Sequence, residues 1–160
     1  TSLSLNDLPC QAGLRRVAVA GAGPDMLRTV VLRGGHLCEE LNLLQHTRPH
    51  INHSANDVQW HTQLGSQLVT GAKTGAVLLW DMAKHGSKLL RTMTGHNGHQ
   101  RAINRLCFHP TEARLLTASQ DKSAKVWDCK VRYAVQLSFM AAAEVRDVQF
   151  SRSTPSQFAA

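Results

Sequence analysis

The segment Leu115 to Asp128, LLTASQDKSAKVWD, places the tightest limit on what this chain can fold into. It reads as a short apolar strand, a tight polar turn and a second strand closing on Trp127-Asp128. A weaker copy, LVTGAKTGAVLLWD, runs from Leu68 to Asp81, and the two Trp-Asp pairs stand about 47 positions apart. A period of roughly 40 to 50 residues marks an array of repeated units, none of which can bury its apolar faces without a neighbour. The expected fold is therefore all-β, and the default function of such an array is an interaction scaffold.

Strand signals occupy the rest of the chain. Arg16 to Ala20 is an apolar run ending at Gly21, Leu27 to Leu32 is another, and Leu37 to Leu44 is expected as a third strand. Together they predict the later strands of a first, degenerate unit with no Trp-Asp ending. His46 to Asn56 is a polar connector, after which Asp57-Val58-Gln59-Trp60 alternates as a half-buried strand does. Leu68–Thr70 and Ala76–Trp80 flank a turn containing Gly75, and residues 82–98 predict an outer strand set between loops. Ile103 to Phe108 opens the next unit and ends at His109-Pro110, because proline has no amide to give a ladder. Ala134 to Phe139 predicts its outer strand. Val145 to Ser151 repeats the opening strand a third time, with Trp60, Phe108 and Phe150 in one position. The same alignment puts Phe158 where Leu116 falls.

The expected division is residues 1–45 as degenerate first-unit strands, 46–98 as the unit ending at Trp80-Asp81, 99–143 as the unit ending at Trp127-Asp128, and 144–160 as the start of another. The chain begins TSLSLNDLPC, without methionine or a signal-peptide pattern, and stops inside a strand. A piece of a larger closed ring is expected, since an open one leaves sheet edges exposed.

Composition excludes several classes. No window is apolar enough over about 18 residues to span a membrane. Cys10, Cys38, Cys107 and Cys129 are scattered without a C-x-x-C pair, which points away from a disulfide framework or zinc knuckle and towards reduced cytosolic thiols. The net charge of +7 could draw RNA, anionic lipid or an acidic partner. Only 18% of residues are charged, however, and the basic ones are dispersed rather than clustered. Gly21-Ala22-Gly23-Pro24 after an apolar run imitates a dinucleotide loop, but Met26 replaces the third glycine and no βαβ unit follows. His46, His50, His53 and His61 lack metal-ligand spacing, and no nucleophile elbow, carboxylate pair or phosphate loop appears. No cofactor, metal or small-molecule substrate is expected.

The Trp-Asp endings, the strand-turn-strand pattern and the period resemble the WD40-repeat family, whose fold is a β-propeller; this chain would be about three blades and the start of a fourth. The resemblance implies a structural hydrogen-bonded tetrad of His, Ser/Thr, Asp and Trp. In the later blade it falls on His99, Thr117, Asp121 and Trp127, with Ser119 as an alternative hydroxyl. The preceding blade keeps Thr70 and Trp80, but Thr74 replaces the aspartate and Ile51 the histidine, so a looser second blade is expected. Asp57-Val58-Gln59-Trp60-His61, Phe108-His109-Pro110-Thr111-Glu112-Ala113, Ser119-Gln120-Asp121 and Val145 to Ser151 are closer still to the propellers of GATOR/SEA-complex WD-repeat subunits. That resemblance implies a non-enzymatic scaffold among other protein subunits, serving amino-acid signalling to the TOR complex in the cytoplasm at the lysosomal or vacuolar surface, with membrane association only through the complex. Trp127-Asp128-Cys129-Lys130 also resembles the box of cullin-RING ubiquitin ligase substrate receptors, and a basic RNA-associated scaffold is the third alternative. On the blade's top face and rim, Arg101, Arg105, Lys122 and Arg146 are the candidate partner contacts.

Overall fold

A computed structural model describes residues 2–6, 15–21, 26–33, 36–44, 54–94, 96–130, 132–154 and 156–160. Among the described residues fourteen strands form four antiparallel sheets. The first blade is β1 (Ser2–Leu5), β2 (Arg15–Ala20), β3 (Leu27–Arg33) and β4 (His36–Asn42). The second is β5 (Ala55–Trp60), β6 (Gln67–Ala72), β7 (Val77–Asp81) and β8 (Leu89–Met93). The third is β9 (Ile103–Phe108), β10 (Arg114–Ser119), β11 (Ser123–Asp128) and β12 (Ala134–Met140), and a two-stranded sheet joins β13 (Gln149–Phe150) to β14 (Phe158–Ala159). Each sheet is a meander in which consecutive strands pair, the arrangement of propeller blades.

Side chains alternate between sheet faces along a strand, and here both faces are buried. Leu68 packs into a core shared with Ala18, Ala20 and Leu27 of the first blade, while its neighbour Val69 packs with Ile103, Leu106 and Trp127 of the third. Leu115 belongs to that second core and Leu116 to a third, which reaches Val148 and Phe150. The middle strands are therefore sandwiched between neighbouring blades and read as continuous apolar runs. Burying one such leucine contributes roughly 1.5–3 kcal/mol. The apolar surface that holds a blade lies largely on the blades beside it.

Two sequence expectations change. The first blade has an inner strand, β1, that the apolar pattern did not flag: Ser2–Leu5 pairs with Val17 to Ala20 through alternating small polar and leucine residues. Phe158 sits one place from where alignment put it. Phe150 faces Phe158 across the sheet as Phe108 faces Leu115, so Phe158 takes the place of Leu115, not Leu116. The loop between β13 and β14 is one residue longer than its counterpart, and alignment without gaps cannot register that. The second blade, for its part, keeps four paired strands with Trp80 fully buried.

The turn between β6 and β7 seats this blade against the next. Gly75 has φ of +85°, and a Cβ there would lie 2.4 Å from the His99 carbonyl oxygen. Gly86 has a similar φ of +74° but open space around it. Gly75→Ala is expected to lower unfolding free energy by about 1 kcal/mol more than Gly86→Ala, because both incur left-handed strain and only one adds a backbone clash. Denaturant titration of the two variants checks this; equal losses would mean that the turn does not seat on the third blade.

Candidate functional site

The tetrad residues come together at one end of the third blade. Thr117, in the middle of β10, is fully buried and its hydroxyl is the hub. The Trp127 indole Nε1–H donates to Thr117 Oγ1 at 2.9 Å, and His99 Nε2 lies 2.6 Å from the same oxygen. His99 Nδ1 lies 2.9 Å from Asp121 Oδ2. A carboxylate only accepts, so Nδ1 carries the proton, Nε2 is the acceptor and the Thr117 O–H donates to it. Asp121 Oδ1 accepts from the Ser123 hydroxyl at 2.6 Å and the Ser123 amide at 2.9 Å, and Oδ2 also takes the Gln100 amide at 3.0 Å. Ser119, the alternative hydroxyl, instead donates to the Arg101 and Ala102 carbonyls.

The electrostatics follow from these contacts. Burial would raise the Asp121 pKa, but the bonds from Ser123, Gln100 and His99 hold the carboxyl down at about 2. Burial pushes the His99 imidazole below its ordinary value, against the pull of Asp121. Asp, His and hydroxyl stand in the connectivity of a hydrolase triad. The Thr117 oxygen has no exposed surface and already accepts from Trp127, so no carbonyl can approach it. The chemistry is cohesive: each buried polar group finds a partner.

Among the described residues of the second blade, the Trp80 Nε1–H to Thr70 Oγ1 bond is the part of the tetrad that remains, at 3.0 Å. Thr74 is exposed on its turn and Ile51 lies outside the described residues. The same holds for Cys10, the Ala22 to Pro24 loop and His46, His50 and His53. His61 is buried, accepts the Gln63 and Leu64 amides at Nδ1 and packs on Phe108, and burial lowers its pKa. Among the described residues no group of three His, Cys, Asp or Glu side chains is placed to hold a metal. In the Trp127 to Lys130 box, Asp128 Oδ1 accepts the Lys130 amide at 2.8 Å, and burial pushes the Cys129 thiol up to about 12. Those residues build a turn.

The four candidate contacts do not behave alike. Arg101 and Lys122 are exposed beside the tetrad, and Arg146 is exposed and pairs with Glu144 at 3.2 Å. Arg105 lies between two carboxylates, 3.9 Å from Asp57 and 3.4 Å from Asp147. Its position is part of a repeated set of contacts that the sequence reading did not pick out. Asn56 donates to the Ile103 carbonyl at 2.9 Å, and Asn104, its counterpart one blade on, donates to the Val145 carbonyl at 2.8 Å. Asp57, which also accepts from Ser2, takes the Leu106 amide at 2.7 Å. Ser4 Oγ accepts the Trp60 amide at 3.0 Å. His61 packs on Phe108 with ring centres 4.7 Å apart, and His109 packs on Phe150 at 4.8 Å. The signal was present as Asn56 to His61 aligned with Asn104 to His109, but only the partner blade shows its purpose.

The family described as "WD domain, G-beta repeat" matches residues 87–128. Among curated proteins, "GATOR2 complex protein WDR24" of Xenopus laevis is 34% identical over 134 residues, 83% of this chain and 17% of its own length. The Homo sapiens protein of that name is 34% identical over 134 residues, and that of Drosophila melanogaster 31% over 137, each again covering 17% of the relative. The chain thus spans about a sixth of the length of these relatives. A shorter match, 39% over 89 residues, is to "Nuclear distribution protein PAC1" of Komagataella phaffii.

Two predictions follow from the tetrad. Thr117→Val leaves both the Trp127 indole N–H and the His99 Nε2 without a partner and should cost about 2–3 kcal/mol, against about 1–2 for Thr70→Val. Denaturation of the two variants measures the difference, and equal costs would contradict the tetrad. A folded-state pKa below 6.5 makes the His99 contribution full above that value and progressively lost as pH falls through the folded pKa. NMR titration should therefore find His99 ionising below 6.5, and His99→Gln should flatten the loss of stability between pH 7 and 5.5. A His99 pKa above 6.5 would contradict this.

Proposed function

The chain belongs to the WD40-repeat family, and from that premise we propose that it is part of a non-enzymatic protein-interaction scaffold within a GATOR2-type complex. The observation that carries the reading is identity of 31–34% to WDR24 proteins of frog, human and fly over more than four-fifths of this chain. The geometry supports it. The acid-histidine-hydroxyl array is sealed inside a blade, and the buried polar chemistry serves cohesion rather than turnover. What the blades present outward is a surface made of turns, the usual place for recognition on a rigid scaffold.

In the same reading the protein works through other subunits of a multi-protein assembly, in amino-acid signalling to the TOR complex at the lysosomal or vacuolar surface and in the control of autophagy that depends on it. Membrane association is indirect; among the described residues no helix is long and apolar enough to cross a membrane. The test is affinity purification of the tagged full-length protein from its own cells, with mass spectrometry of what accompanies it. Recovery of GATOR2-type subunits in near-stoichiometric amounts is expected. Recovery of a cullin adaptor, or of RNA whose binding falls steeply with salt, would replace this reading.

A further inference from the structure

Between the second and third blades, at the end opposite the tetrad, lies a groove of about 500 Å³, within the ~300–1,000 Å³ range of ligand clefts. Its apolar surface comes from Leu64, Leu79 and Leu90, and its rim carries Arg91, Lys130 and Arg132. Leu64 and Leu90 are 48% and 43% exposed and so offer apolar surface at the groove. Among the described residues no carboxylate lines the groove.

The wall is held in a costly shape. Arg132 and Tyr133 are consecutive non-glycine residues in the left-handed region, with φ of 53° and 55°. Such backbone is rare for non-glycine residues and gathers at binding sites, where surrounding packing enforces it. Here the enforcing contact is the Tyr133 side chain, buried in the core between the two blades with Cys129 packed against the same core. The turn consequently leaves Arg132 exposed at the groove, with its carbonyl taken by Arg91 at 3.4 Å.

We infer that this groove docks an acidic segment of a partner protein, with one bulky apolar side chain seated on Leu64 and Leu90 and its carboxylates on Arg91, Lys130 and Arg132. The inference rests on the scaffold reading and gives it a surface and a partner chemistry. Charge complementarity selects the occupant: three cations surround an apolar floor, on a chain of net charge +7. A nucleic acid fits less well, because single-strand binding needs exposed aromatic platforms for base stacking, and the rings in this lining, His61 and Tyr133, are both buried.

The test uses purified full-length protein on an array of dodecapeptides of Asp and Glu, each with one central Leu, Ile, Met or Phe. Companion arrays lack the apolar residue or replace the acids with Lys. Binding to the acidic, apolar-centred peptides alone is expected, weakened at least tenfold by Arg91→Glu with Lys130→Glu and by Leu90→Ser. Lys73→Glu with Arg152→Glu, an equal charge change on exposed turns elsewhere, should leave it unchanged. No binding, or equal losses in both charge-reversed pairs, overturns the inference. Binding of poly-U RNA that the groove variants abolish replaces the occupant with nucleic acid. Recovery of complex subunits with the groove variants, assayed alongside, separates failure of this site from failure of the scaffold reading.

Discussion

The innermost strand of each blade has a free edge, and the structure depends on how that edge is satisfied. β5 and β9 each pair with one strand only, which leaves backbone groups directed at the neighbouring blade. An unpaired buried amide or carbonyl costs free energy comparable to a lost hydrogen bond. Side chains from the blade before meet that need: Asn56 reaches the Ile103 carbonyl and Asp57 the Leu106 amide, and Asn104 repeats the first contact on Val145. Blades therefore complete one another in polar bonds as well as in apolar burial.

This arrangement explains which charges are available to a partner. Asp57 is almost wholly buried, and burial raises its pKa despite the bonds from Ser2 and Leu106 and the nearby Arg105. Arg105 bridges it to Asp147, two residues before β13, so Ser2, Asp57, Arg105 and Asp147 form one row along the inner edges. Polar side chains there are occupied with their neighbours. The groove between the second and third blades differs, since among the described residues that line it Arg91, Lys130 and Arg132 stand with no carboxylate. Cohesion draws on the inner strands and the tetrad, and recognition on the outer turns.

Much of this was legible in the chain. Thr117, Asp121, Trp127 and His99 are separated by a strand, a turn and a loop whose lengths the repeat pattern dictates. What was not legible depends on another blade. β1 is four residues of alternating serine and leucine, too short to be distinctive, and its serines matter because Asp57 and Trp60 meet them. Phe158 was misplaced by one residue because pairing, not spacing, sets register. His61 lacked metal-ligand spacing and had no assigned role in the sequence; a turn of backbone amides and the Phe108 ring account for it.

The central claim is that a blade's inner edge is closed by side chains of the blade before it, and the Asp57 to Leu106 bond is the point to measure. Native-state hydrogen exchange at the Leu106 amide, compared between the intact protein and Asp57→Ala, tests it directly. The account predicts that Leu106 is among the slowest-exchanging amides of β9 and that the substitution accelerates it well beyond its β9 neighbours. Unchanged exchange at Leu106, or a uniform change across β9, would contradict it.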